Sequence, residues 1–239
     1  LQELLAKGPD AAFQEVLLSL EPYRTADEGQ DQIMSVLRVA RRRVALLTAI
    51  ADITAVWPLH RVAGSLSKFA DTATSVATAH LLRGAASQGA LTIRNPDDPN
   101  LESGYFVLGM GKLGACELNY SSDIDLIVLF DPDKIVTDDE IGLRQVFVRA
   151  TRALMRIFDE RTTDGYVFRT DLRLRPDPSA TPLAISVNAA SEYYESMGQN
   201  WERAAMIKAR PIGGDLEAGE DFLQNLRPYI WRKHLDFAA

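Results

Sequence analysis

Cysteine is nearly absent: Cys116 is the single one in 239 residues, which excludes an internal disulfide and fits a reducing, cytoplasmic setting. Positive charge is also scarce. Against 33 Asp and Glu stand 26 Lys and Arg, a formal net charge of -7, whereas a general nucleic-acid binder is usually basic. No nucleic-acid partner is expected, and any phosphate site must be local. Long apolar runs are missing too. The most apolar stretch, Val44 to Leu59, contains Asp52 and falls short of the roughly 20 residues a membrane span requires, so no membrane partner is expected either. There is no initiator Met and no basic-then-apolar leader; the opening LQELLAKGPD and the unterminated closing HLDFAA read as the ends of a piece of a longer protein. The rest, 46% hydrophobic and 25% charged, is the composition of an ordinary globular protein with room for one large or two modest domains.

Residues 1–97 read as a helical segment. Ile33, Val36, Ala40, Val44 and Leu47 recur at three- and four-residue spacing, as do Leu59, Val62, Leu66, Phe69, Ala73, Val76 and His80, each set marking one buried helix face. That placement makes His80 a core histidine, and the run Arg41, Arg42, Arg43 a solvated face. Two stretches rich in turn formers, residues 84–89 and 94–100, read as a linker or long turn. Beyond it the texture becomes mixed. Tyr105 to Leu108, Ile124 to Phe130 and Tyr166 to Leu174 read as strands, and Asp139 to Glu160 as a helix through Ile141, Val146, Ala150, Leu154 and Ile157. Residues 98–185 are therefore taken as an α+β core. Residues 186–239 read as a helical continuation over 188–197, 200–209 and 216–226, with Asn188 and Asn200 as N-caps and Pro211, Gly213 and Gly214 as terminators.

The stretch LGMGKLGACELNYSSDIDLIVLF contains Gly109, Gly111 and Gly114 in a Gly-x-Gly-x-x-Gly spacing after the first strand. A dinucleotide site needs a crossover of about ten to twelve residues and an acid at the end of the following strand. Here only ACELNYSS separates Gly114 from Asp123, and the acids open the strand. Lys112 lies inside the motif, where a P-loop lysine would follow it. On a strand Asp123 and Asp125 share one face while Ile124, Leu126, Val128 and Phe130 share the other. Two adjacent carboxylates repel unless a divalent cation joins them, and oxygen ligands suit Mg²⁺ or Mn²⁺. In GYVFRTDLRLRP the same alternation places Asp171 beside Arg169, Arg173 and Arg175, so Asp171 is the candidate to complete a two-metal site, with arginines to grip phosphate oxygens. Gly109 and Gly111 then serve backbone approach to a phosphate, with Lys112 assisting or pointing to solvent. Ser121 and Ser122 either contact substrate or shape the turn. Trp201 reads as packed against the sheet, with Glu202 and Arg203 in surface ion pairs, and Lys208 and Arg210 as dipole complements or substrate contacts.

A glycine turn, Asp-x-Asp on the next strand and a third Asp on a later one resemble the nucleotidyltransferase superfamily with the DNA polymerase β-like fold. More closely, VLGMGKLGACELNYSSDIDLIVLF, DGYVFRTDLRLRP and GQNWERAAMIKARPIGGD resemble the bifunctional glutamine synthetase adenylyltransferase/adenylyl-removing enzymes, and are most similar to their amino-terminal, adenylyl-removing half. The resemblance implies a nucleotidyltransferase core with a mixed sheet flanked by helices. It implies Asp123, Asp125 and Asp171 as metal ligands and catalytic carboxylates; Arg173, Arg175 and Lys208 are the candidates to hold orthophosphate, because two anions must be brought together before either reacts. It further implies removal of AMP from adenylyl-tyrosine of glutamine synthetase by phosphorolysis, with orthophosphate consumed and ADP released. A second adenylyltransferase domain in the same full-length chain and a PII signalling protein are the implied partners besides glutamine synthetase. One departure is Ala115, where a second glycine is usual; it matters only if that position needs positive φ. ATP-dependent adenylylation, or a catalytically silent regulatory module, are the competing expectations.

Overall fold

The computed structural model describes residues 7–135 and 140–231. The opening LQELLA, the expected helix start at Asp139, the side chain of Ile141 and the closing HLDFAA lie outside the described residues. Helices α1 (Pro9–Leu18), α2 (Gln30–Ile53) and α3 (Leu59–Ser87) come first. Then follow strand β1 (Tyr105–Gly109), the one-turn α4 (Gly111–Gly114), β2 (Ile124–Phe130) and α5 (Glu140–Asp159). The chain continues through β3 (Thr170–Asp171), β4 (Ala184–Ser186), α6 (Val187–Ser196), α7 (Asn200–Met206), β5 (Arg210–Gly214) and α8 (Leu216–Ile230). The architecture is α+β around a mixed sheet ordered β3-β2-β1-β5, with β4 also on β2. β1 runs antiparallel to both neighbours, while β3 and β4 lie parallel to β2, pairing with its first and last residues respectively.

Alternation on β1 and β2 divides the core into two layers. Tyr105, Val107, Ile124, Leu126, Val128 and Phe130 face the helices α1, α2, α3 and α5. Phe106, Leu108, Ile127 and Leu129 face α6, α7 and α8. The second helical stripe is buried from Val62 to Val76, as its spacing predicts, but Leu59 is exposed at the helix start and His80 is only half-buried. The arginine run is not uniformly solvated. Arg41 is half-buried, donating to the Tyr120 carbonyl at 3.0 Å and lying over the Phe168 ring, whereas Arg42 pairs with Asp164.

Three expectations about elements fail for traceable reasons. Residues 84–87 belong to α3, because a lone Gly84 is tolerated in a helix this long. Tyr166 to Leu174 is not a continuous strand. The N–H groups of Val167 and Phe168 go to the Phe158 carbonyl near the end of α5, and Thr170 donates twice to Asp159, leaving only Thr170–Asp171 to pair with β2. In the third segment Pro211, Gly213 and Gly214 do not end a helix; they lie in β5. A Cβ at Gly213 would press into Thr74 of α3, and one at Gly214, where φ is +74°, would collide with the Tyr105 carbonyl. The glycines thus let β5 wedge between β1 and α3. Nor do the asparagines cap: Ser186 caps α6 through Ala189 N–H, and Gln199 forms a capping box with Glu202 at α7.

Candidate active site

Asp125 sits on β2 directly opposite Asp171 on β3 in the parallel register, and Asp123 precedes β2 on the same face. Gly111, with φ +53°, lies against Asp125: a Cβ there would come 3.2 Å from its Oδ2. The turn is fastened to the acid strand through Met110 N–H, which donates to the Asp125 carbonyl at 2.9 Å. Burial first, then the charges of Asp171 and Asp123, push the Asp125 carboxyl above the usual carboxylate range, with Arg173 opposing. Asp171 shifts the other way, chiefly because Arg173 donates to it.

Two of the three acids are engaged by arginines. Arg169 Nε donates to Asp123 Oδ1, and its Nη2 donates to the Ser121 carbonyl. Arg173 Nε reaches both oxygens of Asp171, at 3.0 and 2.9 Å, while its side chain is 84% exposed and open to other anions. With the carboxylates turned to these cations, no group of three acids, His or Cys among the described residues stands ready as a metal cage. The donor set still suits a hard divalent ion. It is all carboxylate oxygen, and the mutual repulsion that adds to burial in raising Asp125 is what a dication would relieve.

Other expected residues divide. Arg175 is a correction: its guanidinium donates to the carbonyls of Leu172, Pro178, Thr181 and Pro182, so it shapes the loop after β3 and is not free to hold phosphate. Ser122 hydroxyl donates to Asn119 Oδ1 and Ser121 N–H does the same, which makes this stretch an Asn-centred turn. Gly109 answers packing: a Cβ there would press on Ile212 and Leu113. Lys112 is exposed and borders a cavity of about 730 Å³ between the start of α3 and residues 115–120, a cavity whose lining includes none of the three acids. Lys208 pairs with Glu117 at 3.4 Å across the glycine turn. Ala115 has φ of -78°, so the missing glycine carries no strain; the left-handed residue is Cys116, at +58°.

Trp201 is half-exposed rather than packed on the sheet, its Nε1 donating to Gln199 Oε1. Glu202 is buried in the α7 cap and accepts from Tyr193, not from a surface cation. Two further roles emerge only from the fold. Arg38, fully buried, donates to the carbonyls of Met34 and Gly165. Arg210, on β5, binds Asp71 of α3 and the end of the glycine turn. The only sequence trace of Arg38 is a cation inside an apolar pattern, and Arg210 reads in the sequence as a dipole complement or substrate contact, not as a tether.

Against known sequences, the family described as glutamate-ammonia ligase adenylyltransferase (GlnE) matches residues 1–225. The chain belongs to the GlnE family. Its curated relatives include bifunctional glutamine synthetase adenylyltransferase/adenylyl-removing enzymes from Rhizobium meliloti, 56% identical over 87% of this chain, and Agrobacterium fabrum, 52% identical over 92%. The relative from Mesorhizobium japonicum is 49% identical over all of it. The aligned region spans only 21 to 24% of those relatives. This GlnE-family chain thus covers about a quarter of the length of the curated relatives it matches.

Proposed function

We propose that this chain is the adenylyl-removing nucleotidyltransferase domain of its protein, with a DNA polymerase β-like core, and that it releases AMP from adenylyl-tyrosine of glutamine synthetase as ADP. The observation that carries the reading is the register of Asp125 against Asp171 beside Gly111, in a family whose members transfer adenylyl groups. In the reaction an orthophosphate oxygen attacks the α-phosphorus, the new P–O bond gives ADP, and the bond to the tyrosyl oxygen breaks. That oxygen leaves with the electron pair and takes a proton from water.

Mg²⁺ or Mn²⁺ would be held by Asp125 and Asp171 with Asp123 as third carboxylate, and when bound supplies charge neutralisation at the phosphorus and leaving oxygen. The protein groups bring two anions together. Arg173, exposed beside Asp171, and Lys208, across the glycine turn, are the groups that hold orthophosphate. Arg169 orients Asp123 and the Ser121 carbonyl behind it. The resemblance to the amino-terminal half supports the removing direction; the relatives' names carry both activities, so ATP-dependent adenylylation is the second reading. In the longer protein the second adenylyltransferase domain and a PII signalling protein are the proposed partners.

The test mixes the chain with fully adenylylated glutamine synthetase and Mg²⁺, with and without orthophosphate, and follows ADP by chromatography. Phosphate-dependent ADP supports the proposal; adenylylation of unmodified synthetase from ATP, with no ADP release, reverses the direction. Alanine at Asp123, Asp125 or Asp171 is expected to lower turnover about 100-fold or more, and unchanged rates would remove these acids from the mechanism.

A further inference from the structure

The glycine turn that brings Gly111 against Asp125 is a single helical turn, α4, and one turn is held only weakly by its own backbone bonds because nucleation is unfavourable. Its last two carbonyls are also met from another strand, Leu113 O in addition to the Cys116 N–H it accepts at 3.1 Å. Arg210 of β5 donates from Nη2 to Leu113 O at 3.2 Å and from Nε to Gly114 O at 3.4 Å. The same guanidinium is gripped from the helical layer, where Asp71 of α3 accepts Nη1 at 2.9 Å and Nη2 at 3.0 Å. The side chains of Arg210 and Asp71 are only 28% and 19% exposed, so solvent screens the pair weakly.

We propose that Arg210 is a positioning residue for phosphoryl chemistry and Asp71 its anchor, together setting the distance between the glycine turn and the acid pair. The inference rests on the reaction proposed above, but its structural half does not. Neither residue touches the three carboxylates; both act through α4. A planar guanidinium can serve Asp71 bidentately while its remaining donors face the two carbonyls, and a cation at a helix C-terminus also complements the helix dipole. A lysine ammonium has three donors on a point charge and cannot span both sides. The close passage of Lys208 O beside Gly114, where a Cβ would collide, leaves the turn little other room to be held.

The experiment compares the wild-type chain with Arg210→Lys, Asp71→Ala and the double variant in three measurements: thermal unfolding, amide hydrogen exchange and steady-state kinetics. Arg210→Lys is expected to stay folded, with exchange at residues 110–117 at least about tenfold faster and that of β2 unchanged. Its kcat is expected to fall about 100-fold, as misplacement near reacting groups does, while KM for adenylylated synthetase stays within about threefold. The double variant is expected to lose no more than the worse single one, since both residues act as one unit. Uniformly faster exchange, unchanged exchange at 110–117, or additive losses would overturn the proposal, as would a kcat within about twofold of an active wild type. Should the wild-type chain turn over neither substrate, the reading of the reaction fails. The exchange pattern would then still decide whether Arg210 holds the turn.

Discussion

Asp125 is the residue on which electrostatics and function pull apart. Its carboxyl is partly buried, faces two other acids and is pushed above the ordinary carboxylate range. Ionised at neutral pH without a dication, it opposes folding, so Asp125→Asn is expected to raise Tm at pH 7 while removing turnover, measured by calorimetry beside the ADP assay. His80 supplies the pH dependence. Burial first and Arg83 second hold its pKa below 6.5, with Asp27 opposing. The unfolded chain therefore binds the proton more readily. The stability contribution is full above about pH 6.5 and is lost as pH falls through the lower folded-state value. His80→Gln is expected to flatten the Tm profile between pH 7.5 and 5.5, on the order of a 1.4 kcal/mol effect per unit of pKa difference; an unchanged slope would refute the assignment. The acid pair itself is legible in the sequence, because carboxylates at alternate positions of a strand share one face. The fate of the arginines is not: Arg175 and Arg173 look alike in sequence, yet one turns back on four loop carbonyls while the other stays exposed at Asp171.

Among elements, glycine context decides the sign of a substitution. Gly84 lies in α3 with open space where a Cβ would stand, so Gly84→Ala is expected to stabilise by about 0.5–1 kcal/mol through helix propensity. Gly114 ends α4 against two backbone carbonyls, of Lys208 and Gly109, so Gly114→Ala is expected to destabilise by about 1–3 kcal/mol and to displace the turn. Urea unfolding of both variants checks the pair, and equal effects would contradict the geometry. Long periodic helices and the apolar strands β1 and β2 are readable for the same reason: their patterns repeat over many residues. β4 and β5 are not, and β3 is readable only as part of a longer strand. They are two to five residues long and owe their conformation to pairing with β2 or β1, not to local propensity.

Across the whole molecule, Arg38 ties α2 to the segment between α5 and β3. Its buried guanidinium reaches from α2 to the Gly165 carbonyl in the hairpin that leads toward β3. Arg38→Leu would remove three hydrogen bonds, to the carbonyls of Met34, Glu160 and Gly165, an expected loss of about 3 kcal/mol and about 6–12 °C in Tm for a chain of this size. A Tm within about 2 °C of wild type, read by calorimetry, would be too small for that role. No helix among the described residues is long and apolar enough to cross a membrane, as the lack of long apolar runs implies. The helical stripes, the two central strands, the acid pair and the family can all be read from the chain alone, because each is written in contiguous residues whose spacing or motif is local. Folding in three dimensions was needed for the rest: that Asp171 meets Asp125, that β5 crosses behind the glycine turn, and that Asp71, 139 residues before Arg210, grips it. Those contacts join distant segments through burial and hydrogen-bond satisfaction, which no local pattern records.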